Sequence, residues 1–427
     1  MKRLFELLKN NKEVADYKVT ETNTHSYQLF YVKNRLETNR VSDLKEIEVT
    51  VYVDANGMRG SGNFKYANYL SDKELNEKLE EAIFNSKLSL NPPFEIPGPQ
   101  PEPIKLESNL AKRDFAEIAE DVANAVFAND MNDVLYSAAT EIFINKVEKH
   151  IVNSKGLDNK ETVYYGEIEL IPSYDTKEKE VEIYHMLRFS NFDFEEIKNE
   201  VKEVLEIVKD RFNAIDLPKD VKDVNVIIDG EEVGQVFRYF AQDLNYAQKF
   251  MKSNLFEIGQ SVQGDNITGS KLTLTAAPYY LGAAGSRSVD SDGISLKEQP
   301  LVKESVAQNR YGNQMFGYYL KEKNITGELP ILIVNKGEST FKDMAKKPYI
   351  RCVRFSSMQM DRMTGLVGGE VRLGYYFDGE KEIPVTGFTF TGNLHELKGQ
   401  MEYSKEEITY SRYHGPRYLL LPSVKIL

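Results

Sequence analysis

The period of apolar positions changes several times along the chain, and each change marks an element. Lys2–Asn10 (KRLFELLKN) has the spacing of a short amphipathic helix. Ser26–Asn34 (SYQLFYVKN) and Glu46–Gly60 (EIEVTVYVDANGMRG) read as strands. In the second, Ile47, Val49, Val51 and Val53 share one face, and Asn56-Gly57 supplies a hairpin turn. Ser71 with Glu74 forms a capping box, which opens a helix whose Leu75, Leu79, Ala82 and Ile83 form one stripe.

The plan then repeats. Asp114–Phe127 is predicted as a helix with Phe115, Ile118, Val122 and Val126 inward. TEIFINKVEKHIVNSKG, ETVYYGEIELIPS and EVEIYHMLRF read as strands. Asp193 and Glu196 cap a helix carrying Ile197, Val201, Val204, Leu205, Val208 and Phe212. The stretches beginning LFYVKN and IFINKV look like one element written twice, which suggests a structural duplication.

Between the two units lies NPPFEIPGPQPEP, with prolines at 92, 93, 97, 99, 101 and 103, predicted as a stiff extended connector. From Val221 onward a strand-turn-helix unit (Val224–Asn245) leads into glycine-punctuated strands: KLTLTAAP, LPILIVNKG, YIRCVRFSS, EVRLGYYFDGEKEIPVTGFTFTGN and RYLLLPSVKIL. The glycines of GLVGGEVRLG fit β-turns, since no phosphate-binding helix follows. The expected fold is α+β: an N-terminal unit at 1–90, a proline-rich linker at 91–105, a related middle unit at 106–220, and a larger β-rich domain at 221–427. Continuous apolar runs in LPILIVNKG and RYLLLPSVKIL predict strands buried on both faces and a dimer interface in the last domain.

Composition narrows the function classes. A net charge of −12 lacks the footprint of a nucleic-acid binder. The single cysteine, Cys352, rules out an internal disulfide and a Cys-rich zinc site, and its alternation within YIRCVRF reads as a packed structural thiol. The charged N-terminus has no signal-peptide core, and no apolar run reaches the ~18 residues of a membrane span, so the chain is expected to be cytoplasmic.

The five stretches EVTVYVDANGMRGSG, IVNSKG, VDSDGIS, PVTGFTFTGN and LLLPSVKI, in this order and spacing, resemble the TldD/PmbA family, described as modulators of DNA gyrase and as metallopeptidases. The resemblance implies a zinc motif, HExxxH, on the helix after the Val224 strand, with a cysteine near the C-terminus completing the site in the TldD branch. Two imidazoles and a thiolate would hold Zn²⁺, and the glutamate would take a proton from the bound water. Here Arg238, Tyr239 and Asp243 stand at the motif's positions, and no histidine lies between His185 and His395. Guanidinium cannot ligate a metal. The departure points to the PmbA (TldE) branch, which lacks the motif.

Other chemistry is sparse. His395-Glu396 has no second histidine behind it and reads as a surface pair. Asp290-Ser-Asp292-Gly293 lacks the remaining acidic ligands of a calcium loop and reads as an Asx turn. The resemblance places this turn near the substrate cleft, which makes Asp290 and Asp292 binding candidates. It implies a zinc-free, non-catalytic subunit with no cofactor of its own, supporting proteolysis of short unfolded peptides by a zinc-bearing TldD-type partner. Two alternatives stay open: a stand-alone homodimeric peptide-binding protein, and an active metallopeptidase with non-standard ligands.

Overall fold

In a computed structural model that describes residues 1–427, the helices and strands assemble into three sheets with helical cover. The first sheet contains β1 (Asp16–Val32), β2 (Arg35–Ala55), β3 (Met58–Tyr66), β4 (Leu90–Asn91), β5 (Leu135–Asn153), β6 (Asp158–Asp175), β7 (Glu180–Glu182) and β8 (His185–Phe189). Its spatial order is β4-β3-β2-β1-β5-β6-β7, with β8 also on β6. Both halves therefore belong to one sheet, joined by antiparallel β1 and β5 in register from Lys18 opposite Asn153 to Val32 opposite Ala139. On either side of that seam the chain repeats one plan: a helix, a long hairpin, a further strand and a capped helix.

Local chemistry sets the ends of these elements. Asn56 and Gly57 both take positive φ in the β2–β3 turn, as a two-residue hairpin of this twist requires. Ser71 caps α2 (Asp72–Ser86) through the reciprocal bonds of a capping box with Glu74. Asp114 caps α3 (Phe115–Phe127), and Asp193 caps α4 (Phe194–Asn213). The helix α1 (Lys2–Asn10) buries Leu4 and Leu8 with Val49, Val51, Leu75 and Leu79 in one core, while Ile118, Val122, Ile142 and Val201 build the other. The helix α2 lies so close to β3 that a Cβ on Gly62 would stand 2.0 Å from the Ala82 carbonyl oxygen.

Two strand expectations need correction. EVEIYHMLRF is not one strand: β7 and β8 keep a common register on β6 but are separated at Ile183-Tyr184. Pro172 of β6 lies opposite the break and has no N–H for the ladder. The glycines of GLVGGEVRLG are not all turn residues. Gly365 takes positive φ in the turn, but Gly368 and Gly369 lie inside a strand, where a Cβ on Gly369 would meet the Phe355 ring at 2.8 Å.

The segment from 215 onward builds two further sheets. One contains β9 (Ile215–Asp216), β10 (Asp223–Asp229), β15 (Tyr349–Met360), β16 (Leu366–Phe377), β17 (Glu382–Thr386), β18 (Phe388–Asn393), β19 (Glu402–Tyr403) and β22 (Tyr418–Ile426). The path β15-β10-β22-β18-β16 closes on itself because β15 also pairs with β16. Closure leaves these five strands without an open edge along that path. It also explains the apolar run of β22, which sits between β10 and β18 inside the ring. The other sheet contains β11 (Leu274–Ala277), β12 (Gln299–Lys303), β13 (Val306–Ala307), β14 (Ile331–Val334), β20 (Glu407–Tyr410) and β21 (Tyr413–Pro416). The helix α5 (Glu231–Asp243) contributes Val233, Val236, Phe237 and Phe240 to the large core that both sheets share. No helix is long and apolar enough to cross a membrane.

The proline-rich connector is irregular and tied down at both flanks. Asn153 donates to the Pro97 carbonyl (2.7 Å), Gln314 to Glu95 (2.8 Å) and Tyr319 to Pro92 (2.6 Å).

Candidate functional site

Gly230, at φ +90°, turns the chain sharply from β10 into α5 and so fixes where the next helical turns point. Arg238 is half-buried and donates through Nη2 to the Arg412 carbonyl (2.8 Å). Tyr239 is 2% exposed, and its hydroxyl has no hydrogen-bond partner. Burial, with the nearby Asp243 carboxylate, pushes this phenol up to about 12.

Asp243 is fully buried and fully engaged. It accepts from the N–H groups of Leu255 (2.7 Å) and Phe256 (2.8 Å) and pairs with Arg362. Arg362 in turn donates to the Ser253 carbonyl (2.7 Å) and to Gln248. The two ends of the expected motif therefore serve different neighbours: Arg238 faces β21, and Asp243 clamps the 253–256 loop. They do not converge on a common point.

Cys352 lies in β15 with no exposure, and burial raises its thiol well above the ordinary range. His395 sits on a single helical turn, Leu394–Leu397, with Nε2 3.2 Å from the Arg362 carbonyl. His, Cys, Asp and Glu side chains form no group of three suited to a metal.

The Asp290–Gly293 turn is where the last domain docks on the first sheet. Asp290 Oδ1 accepts from the N–H groups of Asp292 (2.9 Å) and Ile294 (2.8 Å), an Asx turn. The turn is held by Asn159, which donates to the Gly293 carbonyl (2.7 Å), and by Glu161, which accepts from Ser288 N–H (2.5 Å). Asp292 faces Lys18 (3.5 Å) and accepts from Gln314 N–H (3.2 Å). Asp290 is 3% exposed, and its Oδ2 has no partner. Desolvation, reinforced by Asp292, pushes its carboxyl up to about 7.

Beside Asp290 opens a cavity of about 400 Å³ between the two domains. The first sheet contributes Lys149, Glu167 and Arg188 to its wall. The last domain contributes Arg287, Glu328 and Arg412. Asp292 is not among its lining residues, so of the two aspartates only Asp290 borders the cavity. Sequence reading missed Arg287 and Arg412. Arg287 stands three residues before Asp290, a usable proximity, whereas Arg412 belongs to no motif.

Residues 221–427 match the model of the PmbA/TldA metallopeptidase C-terminal domain. That domain belongs to the TldD/PmbA family. Solved structures similar to the chain over 100% of its length include TldE from Thermococcus kodakarensis (TM-score 0.76, 14% identity, 99% of that chain). A candidate modulator of a DNA gyrase from Thermotoga maritima is similar as well (TM-score 0.75, 15% identity, 99% of that chain). So is another from Bacteroides thetaiotaomicron (TM-score 0.74, 16% identity, 98% of that chain). At these identities the likeness is one of fold. No curated protein matches. On α5, then, Arg238 and Asp243 are held by protein groups, and Tyr239 between them is buried with its hydroxyl unpartnered.

Proposed function

We propose that this chain is the zinc-free, non-catalytic member of a TldD/PmbA-type peptidase system. It binds short unfolded peptides and completes a site whose hydrolytic chemistry belongs to a zinc-bearing partner. The observation that carries this reading is the engagement of Asp243. Its carboxylate spends its acceptors on two backbone N–H groups and the Arg362 guanidinium, so freeing it for a metal would take an acceptor from all three. Arg238 at the first position adds a fixed positive charge, which opposes a second cation. The fold likeness to TldE points the same way.

Metal analysis of natively purified protein tests the reading. Tightly held zinc at about one per chain, lost together with peptidase activity on chelation, would overturn it. Assembly is part of the proposal. Sedimentation with and without a zinc-bearing family member is expected to show a dimer, whose interface should bury more than roughly 1,000 Å². A monomer under both conditions removes the shared site.

A further inference from the structure

Three guanidiniums gather around the inter-domain cavity without a carboxylate among their partners. Arg287 donates through Nη1 to the carbonyls of Ala284 (3.2 Å) and Ser286 (2.6 Å). Arg412 donates through Nε to Pro330 (3.1 Å) and through Nη2 to Leu329 (3.1 Å). Arg238, behind them on α5, holds the Arg412 carbonyl. Burial, joined by the charge of Arg412, holds Arg238 and Arg287 below their ordinary range, and Glu161 partly offsets this at Arg287. A guanidinium has five N–H donors, and these bonds leave donors on Arg287 and Arg412 uncommitted.

The other charges of the cavity are only partly answered. Arg188 pairs with Glu167, Lys149 lies 3.8 Å from Glu161, and Glu328 accepts from the Ser291 hydroxyl (2.8 Å). What is left over is two arginines lining a half-enclosed space, neither of them hydrogen-bonded to a carboxylate, although Asp290 and Glu328 share the wall. Arg287 is half-buried and Arg412 exposed, and an arriving oxyanion would take up their spare donors in charge-assisted, forked hydrogen bonds. The volume, about 400 Å³, suits a carboxylate with the last one or two residues of a chain attached.

We propose that this cavity captures the C-terminal carboxylate of a bound peptide between Arg287 and Arg412. This rests on the peptide-binding reading above and deepens it: the chain would recognise peptides by their free end, in any sequence that leaves the last residue small enough to enter. A free phosphate offers the same oxyanion chemistry, and the test separates the two.

The experiment uses the purified full-length chain and a dansylated pool of randomised hexapeptides, prepared once with a free C-terminal carboxylate and once as the C-terminal amide. Fluorescence anisotropy is expected to show the acid binding about tenfold or more tighter than the amide, the worth of a charge-assisted pair. Arg287→Met should abolish that preference, and Arg412→Lys should weaken it, with thermal melting as the check on folding. Equal binding of acid and amide to the parent protein overturns this inference and leaves peptide binding standing, whatever the variants do. So does displacement by inorganic phosphate of a probe that shows no acid preference. Binding of neither pool overturns the peptide-binding reading, and this inference with it.

Discussion

Asp243 and Arg362, 119 residues apart in the chain, form an ion pair that ties the end of α5 to the turn between β15 and β16. The carboxylate has no exposure, and the guanidinium also holds the carbonyl of Ser253 and the side chain of Gln248. One buried pair thus pins α5, the loop after it and a hairpin of the closed sheet.

Removing one partner of such a pair strands the other. Asp243→Ala is expected to cost about 3 kcal/mol or more, because Arg362 and two N–H groups lose their acceptor together. Urea denaturation measures the loss. The triple change Arg238→His, Tyr239→Glu, Asp243→His, which writes the zinc motif onto α5, is expected to destabilise the protein without conferring tight zinc binding. A stable triple variant with stoichiometric zinc would show that the local backbone was metal-ready all along.

Asp290 gives a pH dependence of defined sign. Its folded pKa, about 7, lies above the ordinary 3.8, so the folded state holds its proton more tightly. The group's contribution to stability is therefore greatest below about pH 4 and falls as pH rises to about 7, by a few kcal/mol at roughly 1.4 kcal/mol per unit. Asn at this position keeps an oxygen for the two N–H donors and does not titrate. Asp290→Asn should accordingly gain on the parent as pH rises from 5 to 8. Paired denaturation curves at those two values decide it, and a constant difference contradicts the assignment.

Cys352 combines complete burial with a raised thiol. Thiolate is the reactive form, so the native protein should leave a chromogenic disulfide reagent unreacted and consume one equivalent per chain only after unfolding. Rapid labelling of the folded protein would contradict this packing.

Gly62 is required by contact rather than by φ. A Cβ there would press on the Ala82 carbonyl oxygen at 2.0 Å. Gly62→Ala is expected to push α2 off β3 and cost about 1–3 kcal/mol, as overpacking does, read as a lowered thermal midpoint. An unchanged midpoint would mean that the helix shifts freely.

The sequence by itself determined whatever depends on neighbours along the chain. The Asn56-Gly57 turn follows from the need for positive φ. The caps at Ser71, Asp114 and Asp193 follow from unpaired helical N–H groups, and the stripe of Leu75, Leu79, Ala82 and Ile83 follows from the helical period. That Arg238, Tyr239 and Asp243 do not spell an HExxxH motif was equally legible. Tertiary structure alone decided what those residues do instead. Asp243 needed Arg362, 119 residues on, before its role as a clamp could be seen. The seam of β1 on β5, the closure of β15 on β16, and the meeting of Arg287 with Arg412 are of the same kind. Strand pairing uses backbone groups that every residue carries, and a charge cluster is drawn from distant loops. Neither leaves a period or a spacing in the chain, so both exist only once the chain has folded.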